Sequence, residues 1–518
     1  MIIYQVYPRS FNDSNNDGIG DLAGLEHKLE YIKELGVDAI WISPFFKSPM
    51  KDFGYDVADF RAVDSIFGTM DDFKSMLAKA TSLGIGIIID MVMSHTSDEH
   101  PWFKDSRVGK HGKSNWYLWA NPKADGSAPN NWMSVFGGPA WRWDAERRQY
   151  YFHSFFSGQP DLNMHNLEVQ DQVLSDIKFW LDLGVTGFRF DACNHIFQDL
   201  QLRDNPPRED VTAALHPYGY QIHVYDQAQP EMLPFLERIR TLLDQYGAYS
   251  LAEVGGTEPI KLMGQYTRAG HLHSAYSFAL MQPDSSAQRV RDVITELEQH
   301  IYAPGTPCYA LSNHDKPRVA SRWANGRDPE QTAKEMLALL YSMRGDICMY
   351  QGEELGLPQA DVPYDRLQDP FGKSFWPKFK GRDGCRTPMP WNDQVHGGFS
   401  QVEPWLPVVD EHRAMNIDKQ KTDPDSILNF FKKMIALRKA NSALMHGSIT
   451  LLNTVHAVLA FHRQSDDQKL LCIFNMDVIE HTVHYDYNSM LFGQNVTLQG
   501  REIHFGVNGF CILILTQT

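Results

Sequence analysis

Residues 85–95 read IGIIIDMVMSH. Apolar side chains occupy both odd and even positions up to Asp90. A strand with one wet face alternates apolar and polar residues, and this one does not. It must be covered on both faces, as a strand of a parallel sheet is. The run ends in polar groups, Asp90 and then His95. Before it, residues 71–83 carry helical spacing and are closed by Gly84. The same order extends in both directions. Residues 3–7 form an apolar run, 21–35 a helix closed by Gly36, and 38–42 (DAIWI) a second run. Downstream lie 187–191 (GFRFD), 250–253 (SLAE), 308–312 (CYALS) and 346–350 (DICMY), with a weaker run near 275–279. Strand and helix in alternation predict a parallel sheet. Seven such strands and the weaker eighth predict an α/β fold, a closed (β/α)8 barrel, with an open parallel sheet as the alternative that periodicity alone leaves standing.

Two stretches interrupt the alternation. Residues 96–163 are rich in Trp, Tyr, Asn and Gly and read as a small domain inserted after strand three. Residues 356–410, rich in Pro, Gly and Trp, read as a long excursion after strand eight. Past residue 443 the texture changes. Segments 448–452, 457–463, 469–475 and 510–516 read as antiparallel strands divided by turns. The expected organisation is therefore a barrel over 1–95 and 164–442, an inserted domain over 96–163 and a C-terminal β domain over 443–518. A chain of 518 residues is long enough for several packed units.

The formal net charge of −16 argues against a nucleic-acid partner, which needs clustered Lys and Arg. The six cysteines, Cys193, Cys308, Cys348, Cys385, Cys472 and Cys511, are scattered without CxxC or zinc spacing, and are expected as buried free thiols in a reducing compartment. The opening MIIYQVYPRSF has no basic n-region or cleavage site, and no apolar run is long enough for a bilayer. A cytoplasmic location without membrane contact is expected.

Catalytic groups of barrels cluster at the C-terminal strand ends. There this sequence places Asp90 and His95, then Arg189, Asp191 and His195, then Glu253, then His314 and Asp315. A carboxylate at one strand end is commonly a solvated acid. Carboxylates at four strand ends, two beside His and one beside Arg, suit a chemistry in which one carboxylate attacks an anomeric carbon and a protonated one feeds the leaving oxygen. Arg189, two residues before Asp191 on the same strand face, is expected to depress the pKa of that nucleophile.

These segments, together with GYD at 54–56 and QPDLN at 159–163, resemble the signature regions of the α-amylase superfamily, glycoside hydrolase family thirteen, over essentially the whole chain. The resemblance implies Asp191 as nucleophile, Glu253 as general acid/base and Asp315 as transition-state stabiliser, with Arg189, His95 and His314 binding substrate or orienting the acids. YPRSF, HTSDEHPWF and GRDGCRTPMPW resemble the oligosaccharide-acting branch, the α-glucosidases and oligo-1,6-glucosidases. That implies Asp56 on the terminal glucose, paired with Arg382 (Arg386 is the near competitor), and Tyr55, Phe136 and Phe155 lining the pocket. Ala192, the residue after the nucleophile, is Val in many α-1,6 enzymes of the branch, and its small size here implies α-1,4 bonds such as that of maltose. The loop at 199–230 resembles loops of enzymes that prefer short substrates and transfer glucose to alcohols. An exo-acting retaining α-glucosidase follows, monomer or homodimer, with an oligo-1,6-glucosidase or a sucrose-acting transglucosylase or isomerase as alternatives. DKPRVASRW matches the Arg-rich loop of sucrose isomerases poorly. A non-catalytic transporter heavy chain, also built on this barrel, would lack the acids and carry an anchor.

Residues 13–21 read DSNNDGIGD. Asp13, Asn15, Asp17 and Asp21 at spacing two or four, with the carbonyl of Ile19, resemble the start of an EF-hand loop without its closing Glu. One structural Ca²⁺ or Mg²⁺ is expected there, and no cofactor for catalysis. Ser94 replaces the Asn that binds an interdomain calcium in α-amylases, which argues against a second ion.

Overall fold

The computed structural model describes residues 1–211, 217–454 and 457–516. The expected loop at 199–230 therefore includes five residues, 212–216, outside the described ones. Eight parallel strands close into a barrel: β1 (Ile2–Val6), β2 (Ala39–Ile42), β3 (Gly86–Met91), β4 (Gly187–Phe190), β5 (Tyr249–Val254), β6 (Ser274–Ser277), β7 (Thr306–Tyr309) and β8 (Asp346–Tyr350). They are neighbours in chain order, and β8 pairs back onto β1. The non-alternating pattern of β3 now has its cause. Ile87, Ile89 and Met91 pack in the large core shared with the helices, while Ile88 belongs to the barrel interior with Ile3, Trp41, Leu251 and Tyr276. Both faces are dry.

The helices begin and end where local chemistry allows. Residues Met70–Ser82 start at Thr69, which exchanges bonds with Asp72 in a capping box, and Gly84 follows at φ +70°. The stretch expected as one helix over 21–35 is two, Leu22–His27 and Leu29–Leu35, broken at Lys28 (φ −101°, ψ 5°). The seventh strand lies two residues earlier than its apolar run. Pro307, which pairs with Ala275, sits inside the ladder. Proline is read as a strand breaker because it lacks a donor, and burial overrode that preference.

Within 96–163 the structure has a three-stranded antiparallel sheet of Trp119–Ala120, Gln149–Phe152 and Trp141–Asp144, with Trp132, Trp141 and Phe152 at its centre. The indole of Trp132 donates to the carbonyl of Arg203 at 2.8 Å, tying this unit to the loop after β4. The C-terminal sheet has six strands: β9 (Ser448–Leu451), β10 (Val458–Gln464), β11 (Lys469–Asn475), β12 (His481–His484), β13 (Ser489–Gln499) and β14 (Glu502–Ile514). Strands β12 and β13 carry mixed polar faces and had no apolar signature. The guanidinium of Arg463 on β10 is buried on the carbonyls of Ser342, Met343, Leu444 and Gly447, fastening the sheet to the barrel helices. Among the described residues no helix is long and apolar enough to cross a membrane, and all six cysteines are buried free thiols.

Candidate active site

The register of the barrel sets the site. Asp90 on β3 faces Arg189 on β4, and Glu253 on β5 faces Tyr276 on β6. All four point into the barrel mouth, where the wall strands supply polar side chains above the apolar interior layer. Arg189 is wholly buried and is the hub. Its Nη1 donates to Asp90 Oδ1 and to Asp191 Oδ1, both at 2.7 Å. Its Nη2 donates to Glu253 Oε2 and to Tyr276 Oη (3.0 Å), and the Tyr276 hydroxyl donates on to Glu253 at 2.6 Å. Asp191 and Glu253 thus share one guanidinium from its two nitrogens.

One cation serves three carboxyls here. Burial pushes Asp191 up to about 7 against the pull of Arg189, which differs from the depression expected from Arg189 alone. Burial likewise pushes Glu253 up to about 7 and Asp90 up to about 6. A single positive charge in a dry site does not stabilise three negative ones, so the set holds a proton near neutrality. Asp315 is the opposite case. Burial alone would raise it, but the guanidiniums of Arg382 (3.3 Å) and Arg386 (2.7 Å) hold it well below the ordinary carboxylate range. Because burial lowers His314 to about 3, that ring is neutral and the arginines carry the effect.

The two histidines are fixed as neutral tautomers. The Gln5 amide donates to His314 Nδ1 (2.7 Å), His314 Nε2 lies 2.6 Å from the Tyr55 hydroxyl, and that hydroxyl donates to Asp90 at 3.0 Å. Tyr55 and His314 stack with ring centroids 5.3 Å apart. His95 donates from Nε2 to the Tyr55 carbonyl (3.0 Å) and takes the Ser94 hydroxyl on Nδ1 (2.9 Å). Ser94 therefore sets the tautomer of its neighbour. Phe155 lies over both His95 (5.4 Å) and His195 (4.9 Å), and Phe136 stacks on Phe371 from the late excursion with Arg382 over its ring at 5.3 Å. Ala192 holds a left-handed backbone (φ 40°, ψ 48°) immediately after Asp191.

One expected pairing is corrected. Asp56 does not meet Arg382. Its carboxyl is wholly buried and turned inward, accepting from Ser48 Oγ (2.9 Å) and the amides of Lys51 (2.9 Å) and Asp52 (3.0 Å). Burial raises it to about 6, as befits a carboxyl that the chain offers no cation. Asp52 takes the place assigned to it: Arg382 Nη2 donates to Asp52 Oδ1 at 2.8 Å, and Gln159 donates to the other oxygen at 3.0 Å. Asp369 holds Arg382 from behind at 2.8 and 3.1 Å. DFGYD offers two aspartates four residues apart, and only the path of the turn, with Phe53 at φ 52° and Gly54 at φ 107°, decides which one faces the mouth. Tyr276 and Asp369 also escaped sequence reading. Tyr276 lies inside the weakest apolar run, 275–279, and Asp369 lies in a loop without periodicity.

Residues 13–21 form a loop away from these acids, closed by its own bonds. Asp13 accepts from the amides of Asn15, Asn16 and Gly18, Asp17 from Ile19, and Asp21 from Ser14 and Gly24. Among the described residues no group of three or more His, Cys, Asp or Glu side chains is arranged to hold a metal ion. Any ion here would have to draw on the amide oxygen of Asn15 and the carbonyl of Ile19 as well. All of these donors are hard oxygens, the chemistry of Ca²⁺ and Mg²⁺.

A closed barrel hosts many chemistries, and the buried carboxyls sharing Arg189 at its C-terminal mouth fit a glycoside hydrolase among them. The alpha-amylase catalytic domain family matches residues 5–447, and the chain belongs to that family. A "Probable alpha-glucosidase" of Rhizobium meliloti (strain 1021) is 49% identical over 92% of this chain and 88% of its own length. The oligo-1,6-glucosidase of Parageobacillus thermoglucosidasius is 35% identical over 92% and 89%. Among solved structures, an alpha-glucosyl transfer enzyme superposes with a TM-score of 0.96 at 47% identity, over 99% of this chain and 98% of that one. An isomaltulose synthase of Erwinia rhapontici NX5, bound to its natural substrate sucrose, superposes at 0.92 with 30% identity, over 100% and 98%.

Proposed function

We propose that this chain is an exo-acting retaining α-glucosidase that releases terminal α-glucose from short α-glucosides, maltose-like substrates first, and passes part of it to acceptors other than water. The observation that carries this reading is the sharing of Arg189 by Asp191 and Glu253, which sets two carboxyls side by side as a double displacement requires. Asp191 attacks the anomeric carbon. Glu253 delivers its proton to the leaving oxygen and then draws a proton from the incoming water or alcohol. Asp315, kept ionised by two arginines, faces the growing positive charge of the ring. Asp52 and Arg382 close the pocket over the terminal sugar, with Tyr55, Phe136, Phe155, His95 and His314 around it. NMR of the glucose released from p-nitrophenyl α-glucoside, whose leaving group is not a sugar, tests the reading: α-glucose appears first, and β-glucose as the first product rejects it.

The names of the relatives favour glucosides with either an α-1,4 or an α-1,6 bond, and Ala192 favours α-1,4. Ala192→Val is expected to lower the maltose-to-isomaltose ratio of kcat/KM. It also places a β-branched residue at φ 40°, so a loss of thermal stability is expected with it. An unchanged ratio excludes Ala192 as the determinant. The six free thiols support a reducing, cytoplasmic compartment.

Asp52→Asn is expected to raise KM for maltose by roughly 10- to 100-fold with a smaller change in kcat, since a group binding ground state and transition state alike is weakened. Asp56→Asn is expected to act on thermal stability instead. Equal KM effects in both variants would contradict the assignment.

For the loop at 13–21 the reading is one structural Ca²⁺ or Mg²⁺ held by Asp13, Asn15, Asp17, Asp21 and the carbonyl of Ile19. Bound there it would brace the first βα loop by offsetting two of the three negative charges of Asp13, Asp17 and Asp21. At a hundredfold excess over its Kd such an ion adds about 2.7 kcal/mol of stability. Calcium added to chelator-treated protein should then raise Tm in the parent and not in Asp17→Ala.

A further inference from the structure

The mouth has two sides that the barrel order separates. Asp52 comes from the loop after β2, and β6 stands diametrically opposite β2 in the closed order. Phe278 lies one residue past β6, two beyond Tyr276, and so continues the inward face of that strand one layer higher. It packs on the interior cluster that contains Tyr276, with the two rings edge to face at 6.2 Å, and Tyr276 in turn bonds Glu253. From β7, the residue after Asp315 is Lys316, whose Nζ rests 4.8 Å from the centre of the Phe278 ring. Glycone side and acid side are therefore distinct, and Phe278 and Lys316 stand on the acid side, where the leaving group departs.

Lys316 is half-buried and, among the described residues, has no ion pair or hydrogen bond of its own. The charged groups that face it are Asp315, Glu253, Arg322 and Arg382. None of the acids is free to serve it. Asp315 is held by Arg382 and Arg386, and Glu253 by Arg189 and Tyr276. Burial disfavours its charge, and the two acids only partly offset that. A half-buried ammonium resting on a ring face is left with donors that a ligand can use.

We propose that Lys316 and Phe278 form a subsite on the leaving-group side that selects glucosides, and transfer acceptors, carrying a negative charge on the aglycone. The ring supplies an apolar floor and the ammonium an ion-pair partner for a carboxylate or phosphate. This rests on the glucosidase reading above, and the test separates the two.

Maltitol and maltobionate are matched probes: each carries an open-chain aglycone in the same α-1,4 bond, one ending in a neutral alcohol and the other in a carboxylate. The expected result is a kcat/KM about tenfold higher for maltobionate at low salt, a difference of one charge-assisted contact. The ratio should fall with added NaCl, collapse toward one in Lys316→Gln and persist in Lys316→Arg. A ratio at or below one in the parent protein overturns the proposal, as does a ratio that Lys316→Gln leaves unchanged. Because the readout is a ratio within one preparation, partial misfolding of a variant does not imitate it. If maltose and both probes are all left intact, the glucosidase reading itself fails. If maltose is cleaved without discrimination between the probes, only the subsite fails.

Discussion

Asp191→Asn is expected to lower kcat on maltose by roughly 10⁴-fold or more with the fold intact, the scale seen when a covalent nucleophile is removed. The amide is nearly isosteric and can still sit beside Arg189, so the near-ultraviolet circular dichroism should be unchanged. The chemistry cannot survive, because no oxygen lone pair of sufficient basicity remains to capture the anomeric carbon. A stronger form uses Asp191→Ala with α-glucosyl fluoride and azide. The fluoride leaves without protonation, and azide enters from the face that the carboxylate vacated. The product should be β-glucosyl azide, the inverted configuration. Formation of the α-azide, or wild-type turnover by Asp191→Asn, would remove Asp191 from the nucleophile's position.

Glu253→Gln should cost roughly 10²–10⁴-fold on maltose, the range of general acid/base assistance. The loss should depend on the leaving group. Attack on α-glucosyl fluoride needs no proton, so the first step should stay fast and the glucosyl-enzyme should accumulate as a burst. The pH profile supplies an independent check. Burial holds both Asp191 and Glu253 near 7, so the first proton must leave before attack and the last must stay for donation. The parent should give a bell-shaped kcat/KM. Activity rises as the set loses its first proton and falls as pH climbs past the value at which it loses its last. These limbs belong to the set sharing Arg189 and not to single residues. Glu253→Gln should abolish the alkaline limb while the acid limb remains. A variant that keeps the alkaline limb would assign the proton elsewhere, with Asp90 the next candidate on the same guanidinium.

The sequence by itself determined a parallel alternation of strands and helices long enough for a barrel, and the pairing of β8 onto β1 decided its closure against an open sheet. A run such as IGIIID is apolar on both faces for one reason, that both are covered, and eight such runs in alternation with helices leave few other arrangements. It also placed Asp90, Arg189, Asp191, Glu253, His314 and Asp315 at strand ends, because a strand's register carries its last side chains to a known level. Tertiary structure alone decided the rest. Pro307 joined a strand against its local preference, because burial between β6 and β8 outweighed one missing donor. Lys28 split a helix that its apolar spacing would have continued. Loops have no period, so nothing local says which way a side chain turns. Asp52 and not Asp56 reaches Arg382, Asp369 stands behind that arginine, and Lys316 rests on Phe278 without an ion pair among the described residues, each as a result of chains from distant strands converging at one mouth.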